Sequence, residues 1–284
     1  MSIDGTAGWL DTSAELGIIA IPVDVLMVAG EFDLSVGSIV GASAVFLAIG
    51  TTIFNAPFWL MIAIVLLAGA CVGLINGIIT VRTGLPSFIV SLAASFCVAG
   101  GATGLARLLT NTTNISVSPP PDVHLLFGSA WGQANVSILW WFAVTAAAGV
   151  VLSRTAFGNW IYATGGDPVA ARGAGVPTNL VKVALFMTTG VAAAFVGVIQ
   201  GVEYHSGNAT AGLGYVFQSI IVAVVGGVLL GGGYGSAFGV FLGTMIYGMS
   251  AYSTPGGART GSSSSSAFCC SARSWPTATS AALR

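Results

Sequence analysis

The sequence predicts an all-α fold: a polytopic membrane bundle of about seven or eight transmembrane or half-membrane helices. Two observations carry that prediction. Hydrophobic residues make up 55% of the 284 and Asp, Glu, Lys and Arg only 6%, where a soluble domain carries about a quarter charged residues, and mean hydropathy is +0.92. The apolar residues also fall in long runs. About 20 of them suffice for a helix that crosses hydrocarbon with every backbone N–H and C=O paired inside the segment.

In chain order, apolar segments occupy residues 14–30, 35–54, 57–80, 88–109, 136–153, 181–203, 216–231 and 236–252. The segments 88–109 and 216–231 are short or broken by glycine and are the candidates for half-helices. The opening MSIDGTAGWLDTSAELG lacks the basic stretch of a signal peptide and is expected to be retained. Residues 1–252 therefore read as one membrane domain, followed by a polar, low-complexity tail over 253–284.

Orientation follows from the few basic residues. The connection 154–182 holds Arg154, Arg172 and Lys182 against one acid, Asp167, while 110–135 has no Lys or Arg. The first is predicted to face the cytoplasm and the second the outside. Arg82 then also falls inside, with Arg107 the exception. Asn111, Asn114 and Asn135 begin N-x-S/T triplets, a pattern common by chance.

Residues for catalysis or metal binding are not expected. His124 and His205 are the two histidines, both predicted in outer loops without a cysteine or acid cluster at ligand spacing. Cys71 and Cys97 lie in apolar segments, where a buried thiol acts as a small hydrophobe. The run VVGGVLLGGGYGSAFG lacks the lysine of a phosphate-binding loop. Gly231 to Gly235 are predicted to turn one helix into the next, and Gly239 and Gly243 to form a helix-packing face.

Polar groups inside apolar segments are expensive and point to a path, a pair or a wet cavity. Asp24, Asn76, Gln200 and Gln218 are the candidate pathway residues, the three amides reading first as hydrogen-bond partners between helices. Glu203 and His205 close a segment at the outer face and read as interfacial.

The connection FGNWIYATGGDPVAARGAGVPTNLVK is too patterned for a simple link. Phe157, Trp160, Ile161 and Tyr162 anchor it at the interface, and Gly165 and Gly166 are read as a turn. Asp167 as N-cap, Pro168 at the first helical position, Ala170, Ala171, Arg172 and a terminating Gly173 or Gly175 then predict a short helix. So short a helix must be held by its own protein and suits a partner's groove.

The stretch YATGGDPVAARGAGV resembles the cytoplasmic coupling segment of ABC importer permeases of the ribose/xylose, or simple sugar, class, in a pattern close to Y-A-x-G-G-N-x-x-A-A-x-x-x-G-[IV]. Tyr162, Ala163, Gly165, Gly166, Ala170, Ala171 and Gly175 match it, and Asp167 stands where the family usually has Asn. GEFDLSVGSIVG resembles a second family signature through Asp33, Leu34, Ser35, Val36 and Gly37, and GLINGIITVRTGLPSFIVSLAASF a third through Asn76 and Pro86. With GYVFQSIIVAVVGGVLLGGGYGS the resemblance runs from about 14 to 252.

This resemblance implies a division of labour in the cell membrane. Two such permeases, or one and a paralogue, form a path through the lipid bilayer. An ABC ATPase subunit binds the coupling segments, and an extracytoplasmic solute-binding protein delivers a monosaccharide. The chain itself is expected to be no enzyme, to hold no cofactor, since ATP belongs to the separate subunit, and to have no nucleic-acid partner. Branched-chain amino acids, carried by a related branch, are the alternative cargo. An ion-coupled secondary transporter, which would use buried carboxylates such as Asp24, and a non-transporting scaffold are the alternative classes.

The tail STPGGARTGSSSSSAFCCSARSWPTATSAALR departs from that family. Suitable synonymous codons for Ser253 to Gly257, read one base earlier, give F-Y-T-G-W, and further choices continue into an apolar helix with a basic end. The tail is thus expected to be an out-of-frame product, and the chain to begin where the family's second helix would.

Overall fold

The computed structural model describes residues 3–131 and 134–253. The elements are α1 (Ile3–Val28), α2 (Val36–Thr52), α3 (Phe58–Thr83), α4 (Ser87–Thr110), β1 (Asn114–Ser116), α5 (Pro121–Phe127), β2 (Ser129–Trp131), β3 (Ala134–Asn135), α6 (Ser137–Arg154), α7 (Ala156–Gly166), α8 (Pro168–Gly173), α9 (Thr178–Glu203), β4 (Ser206–Asn208), α10 (Tyr215–Val225) and α11 (Ala237–Ser253). Every predicted apolar segment contains a helix, although the 216–231 segment is helical only to Val225. Helices α3, α4, α6 and α9 are each long and apolar enough to cross a membrane. The strands pair as two short antiparallel ribbons, β1 with β4 and β2 with β3, and with α5 they cap the end opposite Arg82, Arg154 and Lys182.

Helices α1 and α2 form the centre, buried through most of their length, and α9 packs along both. The periphery is apolar too: Leu67, Phe96, Leu108 and Phe142 are exposed, as expected where lipid replaces water. Small residues bring the backbones together. A Cβ on Gly69 would meet the Gly190 carbonyl at 2.5 Å, one on Gly190 the Gly69 carbonyl at 2.2 Å, and one on Gly73 the Phe186 carbonyl at 2.1 Å. This is close helix approach in a solvent that offers no hydrophobic drive. Trp141 fills the gap that Gly17 leaves on α1 and stacks on Phe241 at 4.3 Å between centroids.

Two irregular segments join core helices, the first largely buried and the second mostly exposed. Residues 29–35 run without helix between α1 and α2, and residues 226–236 between α10 and α11. Non-helical backbone is tolerated at membrane depth where protein buries it. Gly232 and Gly233, with φ of +82° and +79°, make the turn expected of Gly231 to Gly235. The expected packing face is present as well, since Gly239 and Gly243 abut the Gly226 and Val222 carbonyls.

Four expectations need correction. The 88–109 segment is no half-helix: α4 runs unbroken for 24 residues, and its Gly100, Gly101 and Gly104 face open space. Glycine does not interrupt the hydrogen-bond ladder when no partner competes for it. The half-helix is α10, of 11 residues. The 154–182 connection is mostly helical, as α7 and α8, and the first helix begins well before residue 14. Cys71 and Cys97 are exposed rather than buried. The tail from 254 onward, with the frame-shift reading, lies outside the described residues.

Candidate functional site

Three backbones converge on the end of α7. Thr155 caps the helix, its hydroxyl accepting from Gly158 N–H at 3.1 Å, and Ile161 is fully buried. At the other end a Cβ on Gly165 would lie 1.8 Å from the Val28 carbonyl and 2.6 Å from Gly233 N. The Gly233 N–H donates to that same Val28 carbonyl at 2.8 Å, and a Cβ on Gly232 would meet Gly30 and Gly165 near 3.0 Å. Gly165 and Gly166 are therefore not a turn, as their sequence suggested. They complete α7, and Gly165 is needed because α1, α7 and the 226–236 segment touch there.

Tyr162 fastens the same junction. Its hydroxyl donates to the Gly235 carbonyl at 2.8 Å. Burial and the nearby Asp24 carboxylate push the hydroxyl above the usual tyrosine range, which keeps it a donor. Ala163 sits in the last turn of α7, its carbonyl accepting from Asp167 N–H.

Helix α8 follows from local chemistry alone. Asp167 Oδ1 accepts from Val169 and Ala170 N–H at 2.9 and 3.0 Å, with Pro168 at the first position. Its end is a Schellman motif: Val176 N–H reaches the Ala171 carbonyl, Gly175 N–H reaches Arg172, and Gly175 has φ of +86°. Ala171 is buried and Val169 is 78% exposed, so one face is seated and the other is offered. Arg172 Nε donates to Thr178 Oγ1 at 2.8 Å, tying α8 to the start of α9.

The Asp33 signature organises the first irregular segment. Asp33 is buried; its Oδ1 accepts from Ser35 N–H and Ser35 Oγ, and its Oδ2 from Thr189 Oγ1. Ser35 Oγ in turn accepts from Asn76 Nδ2 at 3.0 Å. Thr189 lies 11 residues into α9, roughly 16 Å along its axis at 1.5 Å per residue. The network thus pins α2, α3 and α9 at depth. Leu34 is buried beside it, Pro86 precedes α4 at its N-cap, and Gly37 admits the Gly212 carbonyl, 2.5 Å from where a Cβ would stand.

The four pathway candidates separate. Asn76 is spent on Ser35, and Gln200 donates to Glu15 Oε2 and Tyr215 Oη at 2.7 Å each. Gln218 is half-buried and has no side-chain bond among the described residues. Asp24 is fully buried with both carboxylate oxygens unpartnered, four residues from the end of α1 and against Gly235. These four residues do not converge on one site.

Two polar groups went unflagged in the sequence. Glu15 is buried on α1 and accepts from Gln200, Tyr204 and Tyr215; as an acid inside an apolar segment it carries the same signal as Asp24. Glu31 pairs with Lys182, joining the first irregular segment to α9. The Glu203 carboxylate accepts from Asn135, and the His124 and His205 rings lie 5.7 Å apart.

Comparison with known proteins covers nearly the whole chain. Residues 5–265 match the family described as branched-chain amino acid transport system / permease component. The inner membrane ABC transporter permease protein YjfF of Escherichia coli (strain K12) is 31% identical over 245 residues, 84% of this chain and 72% of that one. The ribose import permease protein RbsC of Haemophilus influenzae is 29% identical over 87% of this chain and 76% of its own length. The L-arabinose ABC transporter permease protein AraH of Azospirillum brasilense is 32% identical over 82% and 67%. No solved structure gives a significant match.

Proposed function

The chain belongs to the family of branched-chain amino acid transport system permease components, a multi-pass protein of the inner membrane, and from that premise we propose that it is the membrane subunit of an ATP-driven importer for a monosaccharide. Relatives named for ribose and arabinose, with others named for autoinducer 2 and none for an amino acid among those compared, favour a sugar over the amino acid of the family description. In this reading the chain is no enzyme and holds no cofactor; ATP is bound by a separate ATPase subunit, and an extracytoplasmic binding protein delivers the solute. A second copy or a paralogue completes the path.

The observation that carries the mechanism is the wiring of α8. A short capped helix with an exposed Val169 is rigidly continued into α9 through Arg172 and Thr178, and α7 is locked to α1 and to the α10–α11 segment at Gly165 and Tyr162. A push on α8 therefore reaches α9 through the Arg172–Thr178 bond, and reaches α1 and the 226–236 segment through α7. Such rigid elements are what rocking between outward- and inward-facing states requires.

A crosslinking experiment tests this. With Val169→Cys in the assembled transporter, a bifunctional reagent should join the chain to the ATPase subunit, and uptake of radiolabelled sugar should stop on ATP depletion. Uptake that persists without ATP and collapses with the proton gradient would overturn the reading in favour of ion coupling.

A further inference from the structure

Two cavities meet at the turn between α3 and α4. One is an apolar groove of about 450 Å³ on the outer side of these helices, bordered by Ile75, Ile79, Leu85, Ile89 and Ala94. Ile75 and Ile89 are each more than half exposed, so the groove opens to the bilayer. The other is a polar cavity of about 260 Å³, lined by Glu31, Thr80, Arg172, Asn179 and Lys182. Leu85 lines both.

The polar cavity has unused hydrogen-bonding capacity. Thr80 is 94% buried, from 6% exposure, and its Oγ1 has no partner. Arg172 uses Nε on Thr178, and its terminal nitrogens have no partner among the described residues. Lys182 is held by Glu31. Two cations against one carboxylate leave the cavity one positive charge in excess. Water or a neutral sugar would not call for that charge next to an apolar trough.

We propose that this composite cavity binds one anionic phospholipid, its phosphate held by Arg172, Lys182 and the Thr80 hydroxyl and one acyl chain lying in the α3–α4 groove. The charge matches a phosphate, and the adjoining groove lies where the acyl chain of a lipid with its headgroup at the basic end must run. Basic pockets between membrane helices on the cytoplasmic side take anionic headgroups for this reason. Because Arg172 closes α8, the lipid would steady the helix that the proposed ATPase engages, although the site itself stands independently of that function.

Purified chain in nanodiscs tests the proposal. Phosphatidylglycerol should raise the thermal midpoint more than phosphatidylcholine of the same acyl chains, and native mass spectrometry should show one retained phosphatidylglycerol. Soluble glycerol phosphate should not substitute, since it lacks the chain that fills the groove. Arg172→Gln should lower the preference for phosphatidylglycerol about fivefold, the effect of one cation near a charged surface. Thr80→Val, a shape-conserving change, should lower it without unfolding the protein, and Ala94→Phe should reduce retention of the lipid by filling the groove. Equal stabilisation by both lipids, full stabilisation by glycerol phosphate, or an unchanged preference in Arg172→Gln and Thr80→Val would overturn the proposal.

Discussion

Asp33 and Asp24 are two buried carboxylates with opposite energetics. Asp33 accepts three hydrogen bonds, from Ser35 N–H, Ser35 Oγ and Thr189 Oγ1, so its removal strands buried donors. Each charge-assisted bond is worth about 1.5–3 kcal/mol, and Asp33→Ala should destabilise the chain by about 3 kcal/mol or more. Asp24 accepts none, and an uncompensated buried carboxylate is costly. Asp24→Asn should therefore raise stability, by about 1–2 kcal/mol. Denaturant unfolding of both variants in the same detergent checks the pair. Equal losses in the two would contradict the assignment of partners. Sequence alone ranked Asp24 as a candidate and Asp33 as a signature, but could not tell which was satisfied: Thr189 is 156 residues from Asp33.

At the scale of elements, the junction on α7 separates two adjacent glycines that the motif treats alike. A Cβ on Gly165 would meet the Val28 carbonyl, backbone that has no rotamer to yield, whereas a Cβ on Gly166 has nothing within 4 Å. Gly165→Ala should thus force α7 away from α1, costing about 1–3 kcal/mol as an overpacked contact does. Gly166→Ala, in a helical position, should be neutral or stabilising by up to about 1 kcal/mol. Thermal unfolding of each variant, with sugar uptake measured beside it, should show stability and coupling falling together for Gly165 only. The α8 helix was legible because its signals are local: a capping Asp, a Pro at the first position and a left-handed Gly lie within nine residues. Helix α7 was not. Its glycines read as a turn because their real partners, Val28 and Gly233, come from distant parts of the chain, and no pattern in residues 154–166 encodes that contact. Glu15 carried the signal of an acid in an apolar run, but its partners were hidden for the same reason, its amide donor standing 185 residues away.

For the whole molecule, apolar runs marked every spanning segment, since bilayer solvation leaves the backbone no alternative to helix. Sidedness is set by charge instead, and the fold makes the test sharp. Arg82, Arg154, Arg172 and Lys182 gather at one end, at the helix ends and connections formed by α3, α6, α8 and α9, while β1, α5 and the β2–β3 ribbon form the other. Arg107, in the last turn of α4, is one cation against these four, too few to reverse an orientation set by the bias of the short loops. Val169 at the basic end and Leu125 on α5 are both well exposed, at 78% and 66%, so cysteine at either should react without unfolding. In intact cells stripped of outer barriers, a membrane-impermeant maleimide should label Leu125→Cys and spare Val169→Cys, and inverted vesicles should reverse the pattern. Labelling of Val169→Cys from outside would place α8 beyond reach of any cytoplasmic ATPase. It would remove the coupling mechanism while leaving the helix bundle, whose packing is indifferent to which way it faces, intact.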